Sequence, residues 1–238
     1  MAESADEMRQ RLFRDAKVAV EKEQYVDMVR GVGVLRSVFG KLSDDERNLL
    51  SAACEGFRRS FLRVIPVHEK DESDSWRQET KRMWEEKTGF KEVCGDVLSL
   101  INGILIEVEN QDVEAEVFYH KMKGQYYHLL TEISEGSEKE FSMKEAHESY
   151  KGGYEKAKEL PSTHPTRLGL ALHWSVFHYE IRNDGKEACR VTKEAYDAAV
   201  ELVDGLEDEA RKDSASIMQL LRDNLTLWTS EEEDQGEN

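Results

Sequence analysis

Apolar residues recur every three or four positions along most of the chain, with charged residues between them. This spacing places apolar side chains on one face of an α-helix. The clearest case is the segment 217–230, where one stripe contains Ile217, Leu220, Asn224, Leu227 and Trp228. The whole pattern predicts about nine helices and no convincing strand.

One polar residue, Asn224, interrupts this otherwise apolar stripe. An amide that is buried without a hydrogen-bond partner is costly. Asn224 therefore either has a partner inside the protein or binds the backbone of a ligand. Taken alone, this helix favours the first interpretation.

Capping and turn residues predict where several helices begin and end. Ser43 and Glu46 have the spacing of a capping box, and His164 followed by Pro165 is typical of a helix start. The segment 113–133 is predicted as one helix, and the polar segment 67–74 as a loop. The residues 231–238 include five acids and no apolar residue. We therefore predict one all-helical domain over 1–230 and an acidic disordered tail over 231–238.

The composition limits the possible partners. Hydrophobic residues make up 39% of the chain and charged residues 35%, and the formal net charge is -17. So negative a chain is not expected to bind nucleic acid or an anionic membrane surface. The three cysteines lack metal or disulfide spacing, and neither a signal peptide nor a run of membrane-spanning length is present. These features predict a cytoplasmic protein.

No catalytic spacing is present. The sequence contains no phosphate-binding loop, no nucleophile elbow and no zinc-protease motif. His173 and His178 are five residues apart, which places them about 140° apart around a helix. We therefore predict no catalytic residue, no cofactor and no metal site, and a binding protein is favoured over an enzyme.

Four blocks of the sequence resemble the signature blocks of the 14-3-3 family. They lie at 45–51, 117–124, 164–172 and 216–230, and their order and spacing match across nearly the whole chain. The last block is the most specific, and it contains the run Arg222-Asp223-Asn224-Leu225-Thr226-Leu227-Trp228. The sequence is therefore identified as a divergent member of this family.

The resemblance implies a fold and a function. It implies an all-α fold in which nine antiparallel helices form an amphipathic groove, and a dimer built through the N-terminal helices. It also implies a non-catalytic adapter that binds phosphoserine- or phosphothreonine-containing segments of partner proteins in signalling. The alternative is a helical scaffold with a degraded phosphate site, which binds partners independently of phosphorylation.

The resemblance also implies a set of groove residues, which is retained almost completely. The resemblance reverses the interpretation of Asn224. Instead of having a partner inside the protein, Asn224 is now expected to bind the peptide backbone. A second backbone-binding asparagine of the family is His173 here. The implied peptide-groove residues are Leu172, His173, Val176, Glu180, Ile217, Leu220, Asn224, Leu227 and Trp228.

The implied phosphate site departs further from the family. Arg59 matches one phosphate-binding arginine, and Lys121 is retained, but the second arginine is His128 and the neighbouring tyrosine is Leu129. The chain is also three residues shorter than the family pattern between Ser51 and Arg58. A basic residue of the family consequently aligns with Glu55 or with Ala52, depending on where the gap lies. The predicted phosphate-binding residues are Arg59, His128 and Lys121.

The dimer contacts differ as well. The resemblance pairs Asp27 with the position of Glu85, and these two side chains have like charges. We therefore hypothesise a weakened homodimer, or a heterodimer with a related subunit.

Overall fold

The computed structural model describes residues 3–22, 24–64, 74–109 and 111–236, which form nine α-helices, one short 3₁₀ helix and no strand. The predicted all-α fold is confirmed. The helices are α1 (Ala5–Glu21), α2 (Tyr25–Phe39), α3 (Asp44–Val64), α4 (Asp74–Val108), α5 (Val113–Ile133), α6 (Gly136–Ala157), α7 (Pro165–Glu180), α8 (Gly185–Val200) and α9 (Asp208–Gly236), and the 3₁₀ helix is Val203–Gly205. None of the described helices is long and apolar enough to cross a membrane.

The chain forms two compact units, Met1–Leu100 and Ile101–Asn238. In the first unit, α1, α2 and α3 pack against one another. Their apolar stripes become the buried core of this unit, which includes Met28, Val32, Leu35, Leu50 and Ala53.

In the second unit, α6 packs against α5 and α7, while α9 packs against α7 and α8. The larger core cluster of this unit surrounds three rings, those of Tyr150, Trp174 and Phe177. A smaller cluster joins α7, α8 and α9 through Leu168, Ala199, Met218 and Leu221. Together the two clusters fix the positions of α5, α7 and α9, which contain most of the predicted groove residues.

The predicted helix boundaries agree with the structure where a local hydrogen bond sets them. The helix over 113–133 is confirmed at both ends. Helix α7 begins at Pro165, as predicted, and the backbone N–H of Thr166 donates to Nδ1 of the capping residue His164 at 3.2 Å.

Two other expectations concern the ends of segments. Helix α9 continues to Gly236, so the predicted end of order at residue 230 differs from the structure. Glutamate is a good helix former, and the acidic residues after 230 extend the helix. Most of the predicted loop over 67–74 lies outside the described residues, and so does Pro66. The single-domain boundary stays a prediction.

The capping box predicted at the start of α3 is confirmed. The Ser43 backbone N–H donates to Glu46 Oε2 at 2.8 Å, and the Glu46 backbone N–H donates to Ser43 Oγ at 3.3 Å. The structure adds a contact that the sequence did not predict. Arg9 of α1 donates to both carboxylate oxygens of Glu46, at 2.8 and 2.7 Å. The capping carboxylate therefore also joins α1 to α3.

The buried carboxylate of Glu46 is expected to make the stability depend on pH. Burial alone raises the pKa of Glu46, but the hydrogen bonds from Arg9 and Ser43 outweigh burial and hold the pKa below its usual range. A carboxyl with a lowered pKa stabilises the fold above its unfolded-state pKa, and this stability is lost as the pH falls through the folded-state pKa. We expect Glu46→Gln to lower the free energy of unfolding by about 1–2 kcal/mol at about pH 7 and by clearly less at about pH 3.

Urea unfolding at both pH values measures this difference. Glu7→Gln is a suitable control, because Glu7 forms a similar capping box with Ser4 on the exposed surface of α1. The expected loss of unfolding free energy is smaller for Glu7→Gln than for Glu46→Gln. A loss for Glu46→Gln that is the same at both pH values would contradict the assigned role of its charge.

Candidate functional site

Two predicted groove residues, one on α7 and one on α9, lie against the smaller core cluster of the second unit. Leu172 of α7 and Ile217 of α9 are partly buried and pack against that cluster. Val176 follows Leu172 by one helical turn and is also partly buried. These three residues therefore form a partly covered apolar floor between the two helices.

Two leucines of α9 extend this apolar surface into solvent. Leu220 is 51% exposed and Leu227 is 53% exposed. Asn224 lies between them at helical spacing and is partly buried. We call Leu220, Asn224 and Leu227 the α9 strip. Among the hydrogen bonds of the described residues, none involves the Asn224 side chain. The strip therefore offers apolar surface together with an amide that can bind a backbone.

Trp228 has a different place from the strip. It is 3% exposed, and its ring stacks on the Tyr179 ring with centroids 4.7 Å apart and an interplanar angle of 14°. Such a stack contributes about 0.5–1.5 kcal/mol beyond the area it buries. Trp228 therefore holds α9 against α7.

A row of polar side chains runs between α5 and α7. Gln125 Nε2 lies 3.0 Å from His173 Nε2, and the His128 ring packs edge-on against the Phe177 ring at 5.5 Å. One turn before Gln125, Lys121 lies beside Gly169, where an added Cβ would be 3.8 Å from Lys121 Nζ. Along both helices the three pairs follow one another from the N-terminal to the C-terminal end, so α5 and α7 run parallel. The row brings the predicted residues Lys121, His173 and His128 onto one line.

The surroundings of His128 are more acidic than a phosphate site requires. His128 is 7% exposed, and its Nε2 lies 3.5 Å from Glu132 Oε1 and 3.9 Å from Glu180 Oε2. Leu129, which takes the place of the family's tyrosine, is 2% exposed and has no hydroxyl to offer. Within the second unit, the carboxylates of Glu132 and Glu180 oppose binding of a phosphate at His128.

The remaining predicted phosphate residue belongs to the first unit. Arg59 lies on α3 and is exposed, and Glu55 is exposed one helical turn earlier. Its phosphate role stays a prediction. For the dimer contact, Asp27 is exposed, whereas the Glu85 side chain lies outside the described residues.

Three residues of this region were not singled out from the sequence. Gln125 and Tyr179 give no sequence signal, because each depends on a partner from another helix. Glu132 follows His128 by four residues, and this spacing places both on one face of α5. That spacing could have been noticed, but the approach of Glu180 from α7 could not.

An all-helical protein with an exposed apolar strip on α9 and a polar row between α5 and α7 has the kinds of surface that bind a peptide. Comparison with known sequences identifies its family. A family model described as 14-3-3 protein matches residues 15–229.

Curated relatives agree with this match over nearly their whole length. The chain is 42% identical over 234 residues to 14-3-3 protein beta/alpha-1 of Oncorhynchus mykiss, which covers 95% of this chain and 96% of that protein. It is 43% identical over 234 residues to 14-3-3 protein beta/alpha of Gallus gallus, with the same two coverages. The chain therefore belongs to the 14-3-3 family.

Membership of the family defines the function in outline. Proteins of this family are non-catalytic adapters that bind phosphorylated partner proteins and form dimers. This chain is accordingly an adapter that binds phosphoserine- or phosphothreonine-containing segments. A scaffold that binds independently of phosphorylation is not favoured.

Proposed function

We propose that the α9 strip and the floor beside it bind one extended segment of a phosphorylated partner protein. Leu220 and Leu227 cover apolar side chains of the segment, and the Asn224 amide hydrogen-bonds its backbone. The observation that supports this most directly is the exposure of both leucines on either side of an amide without an internal hydrogen bond in the described chain. Exposed apolar surface of this kind is typical of binding sites.

We propose Arg59 of the first unit as one phosphate contact and, separately, Lys121 and His128 of the second unit, although Glu132 and Glu180 oppose binding at His128. Arginine binds phosphate through a planar pair of donors, and lysine contributes a compact positive charge. Glu180 and His173 border the groove along α7, and Trp228 holds α9 in place. We propose no catalytic activity, and we place the protein in the cytoplasm, as is general for the family. The dimer partner is a second copy of this chain or a related subunit, which sedimentation velocity distinguishes.

A pair of matched peptides tests the phosphate requirement. We expect a fluorescent phosphoserine peptide to bind at least about tenfold more tightly than its unphosphorylated twin, because one hydrogen bond to a charged group contributes about 1.5–3 kcal/mol. Fluorescence polarisation measures both affinities. Arg59→Gln is expected to reduce the difference, whereas Arg190→Gln, at an exposed arginine of α8, is expected to leave it unchanged. Equal affinities for the two peptides would support the phosphorylation-independent scaffold.

A further inference from the structure

Three potential metal ligands converge in the second unit. His128, Glu132 and Glu180 each offer one ligand atom, and these atoms all lie within 4.8 Å of one another. His128 and Glu132 are one turn apart on α5, and Glu180 approaches from α7. We propose that these three side chains bind a divalent transition-metal ion of the zinc class.

The distances fit such an ion after small side-chain adjustments. Zinc binds nitrogen and oxygen ligands at about 2.0–2.2 Å, so two neighbouring ligands of a tetrahedral site are about 3.3–3.6 Å apart. His128 Nε2 is already 3.5 Å from Glu132 Oε1 and 3.9 Å from Glu180 Oε2. Rotation about the terminal bonds of the two glutamates can close the remaining gap without moving either helix.

The ligand types of the cluster also favour a cation. Carboxylate oxygens and an imidazole nitrogen are ligands that divalent transition metals accept. The imidazole then selects among cations, because calcium and magnesium prefer oxygen ligands whereas zinc and its neighbours accept nitrogen. The mixed donor set therefore indicates a first-row transition metal.

The cluster is both held in place and open to solvent. The His128 ring packs against Phe177, while the Glu180 side chain is 44% exposed. An ion can therefore enter from the Glu180 side and meet a fixed histidine. Three protein ligands leave at least one coordination position for water in a tetrahedral site.

Calorimetric titration of the full chain with Zn²⁺ alone tests this site. We expect one saturable site with micromolar affinity in the wild-type chain. Glu132→Gln and Glu180→Gln keep the shape of the side chain but remove the charge, and each is expected to weaken Zn²⁺ binding by about tenfold or more. Thermal unfolding in a chelator checks that both variants are folded.

Another histidine–carboxylate pair of the same chain provides the control. Glu114 Oε2 lies 3.8 Å from His164 Nε2, and the described residues place no third ligand beside this pair. Glu114→Gln is therefore expected to leave Zn²⁺ binding unchanged. The proposal would be overturned if the wild-type chain showed no saturable Zn²⁺ binding. It would also be overturned if the Glu132 and Glu180 variants bound Zn²⁺ as tightly as the wild type. Binding of Mg²⁺ as tight as that of Zn²⁺ would overturn the assignment to a transition metal. His128 also belongs to the proposed phosphate site, but phosphopeptide binding does not enter this test, so the two proposals are measured separately.

Discussion

Gly124→Ala is expected to lower the free energy of unfolding by about 2 kcal/mol, although alanine is the better helix former. Helices α5 and α6 approach closely at Gly124. A Cβ at this position would lie 2.5 Å from Cε1 and 2.6 Å from Cδ1 of Tyr150. Real Cβ atoms do not come so close to other atoms, so the tyrosine ring or one helix must move.

The Tyr150 ring has little room to move. It is fully buried, and its centroid lies 5.9 Å from that of Trp174 and 5.5 Å from that of Phe177. Protein interiors are close-packed, and an added methyl group forces neighbours away from their preferred positions. The cost of this overpacking is expected to exceed the gain of about 1 kcal/mol that alanine brings to a helix.

Gly152 of α6 provides a matched control. It is exposed, and an added Cβ would lie 3.5 Å from His120 Cε1, which is an ordinary contact. Gly152→Ala is therefore expected to raise the free energy of unfolding by up to about 1 kcal/mol. Urea unfolding measures the change in the free energy of unfolding of each variant. A Gly124→Ala protein as stable as the wild type would contradict the close packing of α5 on α6.

The second large effect is expected in binding. The double substitution Leu220→Glu with Leu227→Glu is expected to weaken phosphopeptide binding about a hundredfold. Each leucine is about half exposed, and covering the remaining half contributes about 1 kcal/mol. Two glutamates also bring charges that must lose water when a peptide covers them. The lost contacts of the two leucines and the desolvation of the two glutamates together amount to about 3 kcal/mol, which is about a hundredfold in affinity.

Fluorescence polarisation with the phosphoserine peptide measures this loss. The double variant Ile106→Glu with Leu202→Glu makes the same change in net charge at residues that are 78% and 58% exposed and lie outside the α9 strip. This control is expected to bind as the wild type does. Thermal unfolding is expected to be nearly unchanged in both double variants, because the leucines and the isoleucine already face solvent. Equal phosphopeptide affinities of the two double variants would show that the α9 strip does not contribute to peptide binding.

Local features of the structure could be predicted from the sequence. The capping box of Ser43 and Glu46 and the start of α7 at Pro165 involve residues within one helical turn of each other. Both ends of α5 were also predicted, and at its start the Asp112 side chain accepts from the Ala115 backbone N–H. The end of α9 was not, because the acidic residues after 230 are compatible both with disorder and with further helix.

The candidate site was predicted only in part, because its residues come from several helices. The sequence predicted that Leu220, Asn224 and Leu227 share a face of one helix, since that follows from spacing alone. It did not predict that Trp228 lies buried against Tyr179 while its neighbour Leu227 faces solvent. That difference depends on how α9 rests on α7.

By itself, the sequence determined the helical fold, several helix boundaries and, through its signature blocks, the 14-3-3 family. The fold and the boundaries follow from periodicity and capping, which involve residues close in the chain, and the family follows from the order of the blocks along it. The tertiary structure decided which side chains meet: Arg9 with Glu46, Gln125 with His173, and His128 with Glu132 and Glu180. Except for the turn between His128 and Glu132, these contacts join different helices. Their geometry is set by how closely and in which register the helices pack.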